Sequence, residues 1–107
     1  MVAGRELLIL AAIDRLVGTD RPAYGVTIRD ELAKRLGRAP SLGAIYAGLG
    51  RLADQGLIAL SLSEPTPVQG GRARRLARLT PAGRAALRRA TVGLARLFDG
   101  LPVLAGS

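Results

Sequence analysis

The stretch GGRARR, residues 70–75, gathers three guanidinium groups, Arg72, Arg74 and Arg75, behind two glycines. A guanidinium is always charged and presents a planar fork of N–H donors, which suits phosphate oxygens. On a hairpin, arginines placed this way contact a nucleic-acid backbone or enter a minor groove, where the potential is most negative. The same charges could instead keep an exposed strand edge soluble and unpaired.

A second group lies in SLGAIYAGLGRLADQGLI, residues 41–58. Leu42, Ile45, Leu49 and Leu52 recur at three- and four-residue spacing, the mark of an amphipathic helix. The opposite side of that helix carries Gly43, Ala44, Ala47, Gly50, Arg51 and Asp54. Gly43, Gly48 and Gly50 each cost a helix up to ~1 kcal/mol relative to alanine. A face stripped of side chains lets the backbone lie deep in a DNA major groove. There alanine can touch a thymine methyl, and Arg51 can reach a guanine edge or a phosphate. Drift toward glycine and alanine, or close packing against another helix, would give the same pattern. Tyr46 sits at the rim of the apolar arc. It reads as a half-buried aromatic beside the first helix, or as a hydroxyl that bonds a phosphate and fixes register, and both can hold.

The elements that must position these groups are a set of helices and one hairpin. A broadly apolar first helix covers about 5–17, and GTDRPAYG breaks the chain after it. A second helix covers 26–36, with Ile28, Leu32 and Leu36 on one stripe and Gly37 as its stop. Ser41 is the N-cap of the third, which ends near Gly56. LIALSL (57–62) and ARRLARL (73–79) pair as a hairpin around a Pro- and Gly-containing loop. Thr80 and Pro81 open a fourth helix that runs to about Asp99. On it Leu87, Ala90, Leu94, Leu97, Phe98 and Leu101 fill one arc, and Arg84, Arg88, Arg89 and Arg96 the other. Leu87, Leu94 and Leu101 are seven apart, the spacing of a coiled-coil-like seam between two copies, with packing inside one chain as the alternative. The last residues read as a frayed tail.

A chain of 107 residues with 49% hydrophobic side chains is one domain with an ample core, built without many aromatics (3%). The net charge is +8 and unevenly placed. Residues 1–64 hold eight Lys/Arg against seven Asp/Glu, whereas 65–107 hold eight Arg against Asp99 alone. A localised cationic region on a small domain points to a polyanion, most often nucleic acid. Cys and His are both absent, which excludes disulfides, thiolate or imidazole metal sites and the catalysis that depends on them. Asp30 and Glu31 are adjacent on one helix and the other carboxylates are scattered, so no acid–base pair is set up and no enzyme is expected. No metal or cofactor is expected, and a small-molecule inducer is left open but not indicated. No apolar run reaches the roughly 18 residues of a membrane span. Charged Glu6, Asp14 and Arg15 around LLILAAI, without a cleavage pattern, argue against a secretory signal and for a cytoplasmic protein.

Helix, helix, helix, strand, loop, strand is the order of a winged helix-turn-helix. The expected fold is therefore α+β, mainly α, with a winged helix-turn-helix at 1–79, a dimerisation helix at 80–101 and a tail at 102–107. Over about residues 5–98 the chain resembles the PadR family of bacterial transcriptional regulators. The resemblance rests on Tyr24-Gly25 opening the second helix and on GAIYAGLGRL followed by GLI. It rests also on Gly70-Gly71-Arg72 before a strand leading into LTPAGR at 79–84. It implies a homodimeric repressor of duplex DNA, with Tyr46, Arg51 and Arg72 among the contacting residues. Ser41, Gly43, Ala44, Ala47, Arg74 and Arg75 complete the candidate DNA surface. Leu87, Ala90, Leu94, Leu97, Phe98 and Leu101 form the candidate dimer surface. Ala44 replaces the family's usual Ser or Thr, and Leu76 and Ala77 replace its common tyrosine pair. An inverted-repeat operator is the expected partner. A winged-helix adaptor for an acidic protein surface or for RNA is the alternative.

Overall fold

The computed structural model describes residues 4–62 and 75–105. In chain order they form α1 (Gly4–Gly18), α2 (Gly25–Leu36), α3 (Leu42–Asp54), β1 (Ile58–Leu62), β2 (Arg75–Leu79), α4 (Pro81–Phe98) and α5 (Pro102–Ala105). This is the winged helix-turn-helix arrangement that the sequence predicts, with one antiparallel hairpin. The predicted tail differs. Residues 102–105 make a short helical turn, begun by Pro102, whose fixed φ suits a first helical position.

The helix ends follow local chemistry. Ser41 Oγ accepts the Ala44 N–H at 3.2 Å, which caps α3. Gly37 stops α2 in the left-handed conformation at φ 79°, where a side chain would be strained. Thr27 folds back at the start of α2, accepting the Tyr24 N–H at 2.8 Å and donating to the Pro22 carbonyl at 2.7 Å.

Ile9, Leu10, Ile13 and Leu16 of α1 form the centre of the core, with Ile28, Leu32, Ile45, Leu49, Leu52, Ile58, Ala77 and Leu79 packed around them. The hairpin register pairs Ile58 with Leu79 and Leu60 with Ala77, so one face of both strands closes the core. The Ala77 N–H also donates to the Ala23 carbonyl at 2.9 Å, which ties the α1–α2 connection to the outer edge of β2.

Two carboxylates are buried among the described residues, Glu6 and Glu31. Glu31 takes Arg35 Nε at 3.0 Å, and Arg21 lies at 3.8 Å. The Arg35 hydrogen bond is the main reason its carboxyl sits below the ordinary range, against an opposing effect of burial.

At the junction of α3, β1 and α4 the backbones approach closely. Thr80 Oγ1 accepts the Gly83 N–H at 3.0 Å and donates to the Gly56 carbonyl at 2.7 Å. The Thr80 N–H donates to the Leu57 carbonyl at 3.1 Å. A Cβ on Gly83 would overlap that same Leu57 oxygen, so only glycine lets α4 start here. Gly43, on α3, has open space where a Cβ would stand. Gly83→Ala should therefore destabilise by about 1–3 kcal/mol, because backbone must move to admit the methyl. Gly43→Ala should stabilise by up to about 1 kcal/mol through helix propensity. Denaturant unfolding of both variants checks the opposite signs.

Candidate nucleic-acid interface

α3 buries Ile45, Gly48, Leu49 and Leu52. Around a helical wheel, Tyr46 and Arg51 lie roughly 110° to either side of that buried arc. Between them, facing away from the core, run Gly43, Ala47, Gly50 and Asp54. A Cβ on Gly43 or Gly50 would meet nothing within 4 Å. The bare strip is thus real surface at two of the three glycines. Gly48 has the other explanation. A Cβ there would come within 2.5 Å of Ile9 Cδ1, so Gly48 lets α3 close on α1.

Each side chain flanking the strip is tied to a neighbouring helix. Tyr46 lies against the start of α2. A Cβ on Gly25 would stand 2.6 Å from Tyr46 Cε1 and 3.0 Å from its hydroxyl. Gly25, second residue of the Tyr24-Gly25 pair, is the bed for that ring, and Tyr46 remains half exposed. On the other flank, Arg51 Nε donates to Glu6 Oε1 at 2.6 Å. Glu6 is 5% exposed and Arg51 51%. The structure does not leave Arg51 free on the bare side; its Nε is turned toward α1 and committed to a carboxylate.

Sequence reasoning misses both tethers. Glu6 sits one turn before Ile9 on the buried stripe of α1, a place where an acid needs a partner, and that is the available signal. Gly25 carries none beyond its place in the pair.

The remaining candidates divide between surface positions and segments outside the described residues. Ser41 is the exposed cap of α3, and Ala44 is half-buried on the α1 side. Arg75, the first residue of β2, is exposed opposite Leu62, at the outer end of the hairpin. Arg72 and Arg74 lie outside the described residues, as does the loop that joins the strands. With the α3 N-terminus contributing its positive dipole end, the Ser41 end of the strip is the part suited to an anion. Asp54, exposed at the other end, is not.

Among the described residues, α4 is anchored only at its start. Gly83 and Ala86 are buried, and Leu87 packs against the core. From Thr91 to Gly100 every residue is exposed, including Leu94 (39%), Leu97 (66%) and Phe98 (51%). Ala90, Leu94 and Leu97 line one wall of a groove of about 840 Å³, whose other wall includes Leu7, Gln55 and Leu57. The seam of three heptad-spaced leucines is shortened. α4 ends at Phe98, and Gly100 turns the chain at φ 70°, so Leu101 stands beyond the helix in a turn. No helix among the described residues is long and apolar enough to cross a membrane.

Residues 15–89 match the transcriptional regulator PadR-like family. The Mycobacterium tuberculosis transcriptional regulator Rv3488 is 45% identical over 80 residues, which cover 72% of this chain and 70% of that protein. A PadR-like transcription factor structure from Bacteroides fragilis superposes with a TM-score of 0.71 at 25% identity, covering 86% of this chain and 81% of that one. The Bacillus subtilis PadR structure, solved in complex with operator DNA, shares the fold with a TM-score of 0.66 at 20% identity. It covers 95% of this chain and 51% of that one.

Removing the α3 cap tests how far the strip depends on its first turn. Ser41→Ala leaves the Ala44 N–H without its side-chain acceptor and should cost about 0.5–2 kcal/mol, read from the denaturation midpoint.

Proposed function

Because the chain belongs to the PadR-like family of transcriptional regulators, we propose that it is a cytoplasmic repressor that binds duplex DNA sequence-specifically as a homodimer. The observation that carries this reading is the bare strip of α3, Gly43, Ala47 and Gly50, which stands open between two tethered flanking side chains. A helix without projecting bulk can seat its backbone deep in a major groove, so that short side chains and the polarised α3 N-terminus meet base edges and phosphates. Tyr46, half exposed on its glycine bed, supplies a hydroxyl for a backbone phosphate. Arg75, exposed at the outer end of the hairpin, adds positive charge, and Arg72 and Arg74 precede it in sequence; such charge contributes affinity and not sequence choice. Repression follows by occupancy of a promoter.

The dimer places a second copy against α4. Leu94, Leu97 and Phe98 would be covered, and Ala90 and Leu87 would continue the seam toward the core. Two α3 helices related by a two-fold axis read an inverted repeat whose half-sites lie about 34–36 Å apart, one helical turn of DNA. Selection of bound sequences from a random duplex library tests the whole reading. Enrichment of an inverted repeat with that spacing is expected; preference for structured RNA, or no enrichment at all, would overturn it.

Two substitutions separate its parts. Leu94→Glu should give a monomer by sedimentation at micromolar concentration and leave far weaker binding to the selected duplex. Arg72→Ala should weaken selected and random duplexes alike. It should flatten the salt dependence of binding by about one unit for each phosphate that a subunit no longer neutralises, measured as affinity across a salt series.

A further inference from the structure

Beside the core that α1 and α3 share, two contacts between them lie one turn apart. At the first, Gly48 admits Ile9. At the second, three residues along α3 and three back along α1, Arg51 meets Glu6 at 2.6 Å. The packed core sets the tilt of α3 against α1, and the second contact adds a charged link at its edge. The second point is also asymmetric in exposure. The carboxylate is almost wholly covered, whereas half of the arginine faces solvent. Nε is the nitrogen engaged, so the terminal NH₂ groups at the far end of the planar fork remain as further donors.

We propose that Glu6 is a positioning residue for DNA reading. It holds Arg51 by Nε so that the guanidinium is presented end-on, at a fixed angle, to a backbone phosphate beside the α3 strip. The inference rests on the DNA-binding reading above and adds a residue that touches no DNA. Its logic is a trade between affinity and register. A carboxylate near a polyanion weakens long-range attraction, since it cancels one positive charge. What the protein gains is a rigid donor: a free arginine samples many rotamers, whereas one clamped by a charge-assisted bond has its fork already set. Phosphate contacts carry register and orientation, not sequence. A rigid one on the α1 flank, opposite Tyr46 on the α2 flank, would hold α3 at the angle from which base edges can be read.

This predicts an effect on specificity that a purely structural pair would not produce. Glu6→Ala removes a buried charge and leaves Arg51 solvated, so the variant orphans no polar group. Affinity for random duplex should rise or stay level. The ratio of selected to random affinity should fall by about tenfold, the factor of one well-made charge-assisted contact. Glu6→Gln, whose amide oxygen can still accept from Nε, should recover most of the ratio. The cycle is closed with Arg51→Gln, which can still donate to Glu6, and with the double variant Glu6→Ala/Arg51→Gln. If Glu6 acts through Arg51, adding Glu6→Ala to Arg51→Gln should leave the ratio unchanged. Thermal melts of every variant separate loss of fold from loss of positioning.

A Glu6→Ala protein that melts lower but keeps the wild-type ratio would overturn the proposal. So would an equal drop in the ratio with and without the arginine. Failure of the wild-type chain to bind any duplex would instead sink the DNA-binding reading itself.

Discussion

The approach of α3 to Ile9 of α1 through Gly48 decides how the rest of the molecule is arranged. A helix has a limited circumference, and whatever arc it buries is unavailable to a partner. By admitting the tip of Ile9 against its backbone, α3 buries Ile45, Leu49 and Leu52 and leaves the opposite strip clear of the body. Interiors pack at crystal-like density, so such an approach sets the depth and tilt of the helix within narrow limits. The other contacts serve the same end. Tyr46 rests on Gly25, and Arg51 reaches Glu6, so each flank of the strip is attached to a different helix.

The C-terminal end of α3 is where the two halves of the fold meet. Gly56 and Leu57 follow α3 directly, and both offer their carbonyls to Thr80, the residue that caps α4. The polypeptide leaving the proposed DNA-facing helix and the polypeptide entering the proposed dimer helix are thus joined through one turn, with Gly83 admitting no slack between them. Rotation of α4 in a dimer would be transmitted to the base of α3 through covalent neighbours and short hydrogen bonds, with little intervening side-chain packing to absorb it.

Features governed by near neighbours in the chain can be read from the sequence. The Ser41 and Thr80 caps, the Gly37 stop and the buried Ile45, Leu49 and Leu52 of α3 are set within one or two turns. The bare strip is visible for the same reason. The α2 stripe holds at Ile28 and Leu32 and fails at Leu36, which is exposed in the last turn. What escapes depends on distant partners. Arg51 and Glu6 are 45 residues apart, so the arginine looks free on a wheel that shows one helix only. The seat of Tyr46 on Gly25 escapes as well, because a wheel gives a direction and not a neighbour. The seam through Leu101 fails for a local reason that is present in the sequence. Gly100, in its left-handed conformation, ends the periodicity one residue before the third leucine, so heptad spacing persists after the helix has stopped.

The distal half of α4 has a consequence for how the protein behaves as its amount changes. Isolated helices of this length are marginal in water, and here every residue from Thr91 to Gly100 is exposed. If a second copy supplies the cover, order in that segment is a property of the pair. Folding is then linked to association, and the apparent stability rises with protein concentration. Soon after synthesis begins, when copies are few, the chain would carry a loosely formed end exposed to proteases. As copies accumulate, the same segment would become ordered and protected. The lifetime of the protein, and not only its occupancy of DNA, would then depend on how much of it is already present.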